Sequence, residues 1–343
     1  MNTRTITRPR LGAGLAVATL LTAAVAAVAP GISDAAAPSA HPAAAAAATK
    51  TTWEPRWHSE FGGNAPAKWK GVPDTSRTAW STANRIMVSQ AKKSQAHYLA
   101  RNVDQRSGNL VITTERHCVK KSATHTNFDL YTNATASVAP CGAGKKAVYS
   151  SGRLDMLDAG KQLSGNFKVE FRASMPDQPA VGTRQALWMH NTDQYCDSVD
   201  ALTNLGEFDA LEWYGDRPGR TTATTHMSCK GNGDWKTIRR QHAGPMSNAD
   251  NTFHVWSVEK VGKRVKYFMD GKQLDGKDVC GAGKFTLTAP VSCAQVMGLP
   301  YFLIMNGEVF KDGNNGTGHR SPLDGRRFPK QQLQVDWVRT YTG

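Results

Sequence analysis

Residues 206–215 read Gly-Glu-Phe-Asp-Ala-Leu-Glu-Trp-Tyr-Gly, which sets Glu207, Asp209 and Glu212 close together along the chain. As a helix, this segment would hold Glu207 and Glu212 about 140° apart around the axis, and its bracketing glycines leave too few residues for a stable helix. As a regular strand it would send Glu207, Asp209 and Leu211 to one face and Phe208, Ala210 and Glu212 to the other. That arrangement buries a lone carboxylate beside Phe208 and leaves Leu211 in water, at a cost of several kcal/mol unless the acid is paired or protonated. One extra residue at Ala210–Leu211, a β-bulge, removes both faults. Phe208, Ala210, Leu211 and Trp213 then face a core, and the three acids share one open face. Three such acids repel each other, and an idle acidic strand face is the alternative to a function. Chemistry supplies a reason for the arrangement. Retaining glycoside hydrolysis uses two carboxyl groups about 5–5.5 Å apart, one as nucleophile and one as acid/base, and a third acid can share a proton with a neighbour.

The elements that must carry this strand are themselves strands. Phe167, Val169, Phe171, Ala173 and Met175 alternate with polar residues, as do Leu110 and Ile112, and Leu333, Val335 and Trp337. Residues 265–269 run into Asp270-Gly271, a dipeptide suited to a tight hairpin because both central positions need positive φ. Amphipathic helices are scarce. Many strands joined by Gly, Asn and Pro loops describe an all-β sandwich or barrel, packed on one face of each sheet and wet on the other.

The first residues resemble an export signal: Arg4, Arg8 and Arg10, then an Ala/Leu/Val run, then small residues near Ala35–Ala37. A membrane anchor is the competing reading, but the run is Ala-rich and breaks at Pro30-Gly31. We expect a signal over 1–37, an Ala/Pro-rich lead-in over 38–50 and one large domain over 51–343, exported and, once the signal is removed, free of the membrane. The six cysteines then suggest disulfides, and nearest-neighbour pairing gives Cys118–Cys141, Cys196–Cys229 and Cys280–Cys293, each closing a loop outside the expected strands. No CxxC or HxxxH spacing supports zinc. The formal charge of +14 is scattered over many loops with no basic helix or RNA-binding motif, so nucleic acid is not an expected partner.

These residues resemble glycoside hydrolase family 16, the laminarinase, lichenase and agarase group, whose bulged Glu-x-Asp-x-x-Glu matches Glu207-Phe-Asp209-Ala-Leu-Glu212. Further pieces follow in the family's order: residues 57–63, 107–112, 151–154, Ala186-Leu-Trp-Met, Thr225-His226, 253–256, Met269-Asp-Gly, 301–306 and 335–341. The resemblance implies a concanavalin-like jelly-roll sandwich with a substrate cleft across its concave sheet. It also implies a retaining enzyme with Glu207 as nucleophile, Glu212 as acid/base and Asp209 as the assisting acid. Trp188 matches a tryptophan under the sugar, with a core tryptophan as the alternative. His226 matches a histidine near the acids, with a structural histidine as the alternative. Arg153 and Asn306 are candidates for holding substrate hydroxyls, with a solvated or structural role as the alternative for each. The chemistry needs no cofactor. Members of the family often carry a structural calcium ion, and the matching positions would be Glu60, the Gly108 carbonyl and Asp336, oxygen donors of the kind calcium takes.

Departures from the family pattern leave the polymer open. Thr203-Asn-Leu-Gly stands where laminarinase-like members have Trp-Pro, and Asn306 leads into Gly-Glu308-Val-Phe, closer to agarase-like members. The expected partner is a polysaccharide, a β-1,3- or mixed-linkage glucan or a galactan such as agarose, met by a monomer. A non-catalytic, lectin-like sandwich and a cell-wall transglycosylase are the alternatives.

Overall fold

The computed structural model describes residues 51–75, 80–82, 85–86, 94–123, 135–156, 159–191, 205–227, 242–245, 252–278, 293–311, 322 and 325–343. The expected signal and lead-in, the Cys196–Cys229 pair and Cys280 lie outside them. Among the described residues, the strands form an eleven-stranded and a seven-stranded sheet, stacked as a jelly-roll sandwich. No described helix is long and apolar enough to cross a membrane. The single described α-helix, α1 (Cys293–Gly298), is one short segment.

Alternation explains the inner faces. Phe167, Val169, Phe171 and Ala173 of β9 (Phe167–Ser174) are all buried, and so are Leu110 and Ile112 of β6 (Asn109–Lys120). Both belong to the larger sheet, with β18 (Gln331–Thr342) between them. Against them pack Leu187 and Met189 of β10 (Thr183–Asn191), Phe208, Ala210, Leu211 and Trp213 of β11 (Leu205–Tyr214), and Leu303 and Met305 of β17 (Tyr301–Val309). Truncating one such side chain to alanine would cost about 2–5 kcal/mol, so the two inner faces hold the sheets in register.

The hairpin falls where Asp270-Gly271 places it: both residues have positive φ, 50° and 75°, and join β15 (Arg264–Met269) to β16 (Lys272–Asp278).

Two expectations need correction. Trp337 does not continue the inward row of Leu333 and Val335. A register shift between Val335 and Trp337 turns Val338 into the core and leaves Trp337 half-buried on the outside, beneath the Arg339 guanidinium. The Cys118–Cys141 disulfide forms, with 5.4 Å between Cα atoms, but Cys118 lies inside β6 and not in a loop. Strand β6 runs further than its Leu110–Ile112 alternation indicates because it pairs over its second half with β7 (Lys145–Ser151).

Candidate active site

In the seven-stranded sheet, β11 lies near the middle, between β12 (Arg220–Met227) and β10, with β17 beyond β10. Both neighbours register one extra residue on β11. Leu187 and Trp188, adjacent on β10, face Leu211 and Asp209; Thr224 and Thr222 on β12 face Asp209 and Glu212. The bulge is therefore at Ala210–Leu211, where burial energetics demanded it. It turns both Ala210 and Leu211 into the core and leaves Glu207, Asp209 and Glu212 on the opposite face.

That face is less open than the sequence suggests. Glu207, Asp209 and Glu212 are 8%, 3% and 4% exposed, because flanking side chains rise around them. Gly206 sets the start of the strand: its φ is +84°, and a Cβ there would lie 2.6 Å from Asn191 Nδ2 and 2.8 Å from Tyr301 Oη.

Glu212 is held through both of its carboxylate oxygens. Its Oε1 accepts from Arg184 Nη1 and from the Tyr214 hydroxyl, both at 2.8 Å, and its Oε2 accepts from the Thr224 hydroxyl at 2.9 Å. Arg184 also donates through Nη2 to Glu308, which is 1% exposed. Burial alone would lower the Arg184 pKa, but the carboxylates of Glu308 and Glu212 outweigh it and hold the guanidinium well above its ordinary value. From the far side of the sheet, Tyr267 donates to the Thr224 carbonyl, and its phenol is pushed up by burial and by the charges of Asp209 and Glu207.

Trp188 is half-buried and lies on the acid face, across from Asp209, so it is not a core tryptophan. Its indole N–H donates to Asn306 Oδ1 at 2.7 Å, and Asn306 Nδ2 donates to the Tyr98 hydroxyl at 2.9 Å. Asn306 is thus buried and positions the indole. Arg153, on β8 (Arg153–Asp155), pairs with Asp155 at 2.8 Å and spreads its guanidinium 5.2 Å from the Trp188 ring centroid. His226 is opposite Glu207 on β12, with its side chain outside the described residues; His190 is opposite Glu207 on β10.

Sequence reasoning missed Arg184, His190, Tyr214 and Thr224. The signal was present as period two: Arg184, Ala186, Trp188 and His190 share one face of β10, and Tyr214 follows Glu212 by two. Choosing that face needed the bulge and the neighbouring register together.

The suggested calcium donors fit poorly. The Glu60 carboxylate is gripped by Arg339 at 2.8 and 3.1 Å, and Asp336 is bonded to Arg172. Each carboxylate already has a guanidinium partner competing for the same oxygens, and no step of the chemistry passes through them.

Comparison with known proteins agrees with this geometry. Residues 92–289, a span that contains all three acids, match the family model described as glycosyl hydrolases family 16. The chain is 30% identical over 207 residues to glucan endo-1,3-beta-glucosidase A1 of Niallia circulans, an alignment covering 59% of this chain and only 28% of that protein's length. Among solved structures, the laminarinase catalytic domain of Thermotoga maritima MSB8 superposes with a TM-score of 0.60 at 20% identity, covering 85% of this chain and 99% of that one. An endo-acting O-glycanase of the human gut microbiota, of the kind that initiates mucin breakdown, superposes with a TM-score of 0.58 at 22% identity, covering 84% and 91%. At these identities the likeness is one of fold.

Proposed function

This chain belongs to glycosyl hydrolases family 16 and is a glycoside hydrolase, and on that premise we propose that it is an exported, endo-acting, retaining enzyme cleaving a β-linked polysaccharide, with a β-1,3-glucan as the first substrate to test. The observation that carries the reading is the bulge in β11, which brings Glu207, Asp209 and Glu212 to one face of the sheet. The named activity of the Niallia circulans relative supports the choice of glucan.

In the proposed reaction Glu207 attacks the anomeric carbon while the glycosidic C–O bond breaks and Glu212 gives its proton to the departing oxygen. The product of this step is a glycosyl ester on Glu207 and a free chain end. Water then attacks the same carbon, loses a proton to Glu212 and releases Glu207, so the anomeric configuration is retained. Asp209, between them on the strand, moderates the charge of its neighbours. The partly exposed face of Trp188 offers an apolar platform for the C–H side of a sugar ring, with Arg153 as its charged margin. The Ala-rich first 37 residues would direct export.

Reducing-end release from laminarin, mixed-linkage β-glucan, agarose and galactan tests the substrate. Glu207→Gln is expected to lose turnover while still binding oligosaccharide. Turnover within tenfold of wild type in that variant would defeat the assignment.

A further inference from the structure

Glu212 must carry a proton in the first step, yet the side chains around it favour its ionised form. Three donors converge on its carboxylate, one of them a guanidinium, and hydrogen bonding to a charged carboxylate stabilises that charge. The same guanidinium is divided. Arg184 Nη1 serves Glu212 and Nη2 serves Glu308, so one cation is shared between two buried acids on the same face of the sheet, Glu212 on β11 and Glu308 on β17 with β10 between them. Resting on the reading of Glu212 as acid/base, we infer that Arg184 is a positioning residue that sets the proton affinity of Glu212, and that Glu308 limits this effect by drawing Arg184 away.

The other groups facing Glu212 act with it. Among the described residues, β11 contributes Tyr214, which donates to Oε1, and the charges of Asp209 and Glu207; on β12, Thr224 donates to Oε2; β10 and β17 contribute Arg184, His190 and Glu308, with the Tyr98 phenol beside the Arg184–Glu308 pair. Oε1 already accepts from Arg184 and Tyr214, which directs the transferable proton to Oε2. Removing Arg184 withdraws a cation from Glu212 and should make it hold its proton to higher pH. Neutralising Glu308 withdraws a competing anion and commits Arg184 to Glu212, so Glu212 should lose its proton at lower pH. A purely structural role for the pair predicts no such opposition of sign.

The test is the pH profile of kcat/KM on whichever of the four panel glycans the wild-type chain cleaves fastest, with Arg184→Gln, Glu308→Gln and Arg184→Lys. The basic limb is expected to move upward by about one unit, a tenfold change in proton affinity, in Arg184→Gln, and downward in Glu308→Gln. Arg184→Lys, which keeps the charge, should lie between wild type and Arg184→Gln. If Arg184→Gln leaves Glu308 too exposed to an unpaired burial to fold, the Arg184→Gln/Glu308→Gln double variant replaces it, again with an upward shift expected. Basic limbs unchanged in the variants, or displaced in the same direction by Arg184→Gln and Glu308→Gln, would overturn the inference. Glu212→Gln separates the two claims: if it retains turnover, Glu212 is not the acid/base and the underlying reading fails, whatever Arg184 does.

Discussion

Deleting Ala210 would separate what the bulge does for the fold from what it does for the chemistry. Both neighbouring strands count one residue too many on β11 at this point. With Ala210 gone, Leu211 would still face Leu187, Asp209 would still face Trp188 and Thr224, and Glu212 would still face Thr222. Simple alternation would also keep Glu207, Asp209 and Glu212 on one face and Phe208, Leu211 and Trp213 on the other. The ladders therefore close without sliding. The expected cost is the buried Ala210 methyl, about 1 kcal/mol, plus about 1–2 kcal/mol for repacking around Phe208 and Leu211. For a chain of this size that amounts to a fall in Tm of several degrees, at about 2–4 °C per kcal/mol. Turnover should suffer far more, because the bulge twists the strand and re-aims Glu212 relative to Glu207. A displacement of about 1 Å between reacting groups costs about 100-fold. Thermal unfolding followed by circular dichroism, with reducing-end release on the same sample, measures both effects. A folded variant retaining turnover within tenfold of wild type would refute the claim that the bulge aligns the acids. A variant that does not fold would refute the claim that the neighbouring registers accept the shorter strand.

Two further predictions follow from the same geometry. Burial lowers the Lys260 ammonium from 10.5 to about 8, with its Nζ donating to the Gly165 carbonyl. Between about pH 8 and 10.5 the unfolded chain therefore holds a proton that the folded chain has lost, so stability rises with pH across that window. Below it the buried charge is a penalty, and Lys260→Met should stabilise the fold by about 1 kcal/mol at pH 7 after solvent screening, with the gain fading towards pH 10.5. Urea midpoints at pH 7 and pH 10 measure this, and an equal difference at both would contradict it. Gly307, between Asn306 and Glu308 on β17, has no room for a side chain: a Cβ there would collide with the Thr114 and Ser151 hydroxyls. Gly307→Ala should destabilise by about 1–3 kcal/mol and weaken turnover by displacing Glu308 and the Asn306 that positions Trp188, measurable as a lowered Tm together with reduced reducing-end release.

The amino-acid sequence by itself determined the all-β class, the inward rows of β9 and β6, the Asp270-Gly271 hairpin and the bulge that unites the three acids. Each of these is a local matter of alternation, turn conformation or the cost of burying a carboxylate, and is legible from neighbours along the chain. The row through Trp337 differs because a second bulge lies at Val335–Trp337, where Asp336 stays on the outer face with or without it, so no buried carboxylate betrays the extra residue. Only the tertiary structure decided how the acids are held. Arg184 reaches Glu212 from 28 residues upstream and Glu308 from 124 residues away. Such contacts depend on which strands lie side by side and in what register. Hydrophobic periodicity specifies a face for each strand but not its neighbour, so the acid triad was visible in sequence while the guanidinium that holds Glu212 was not.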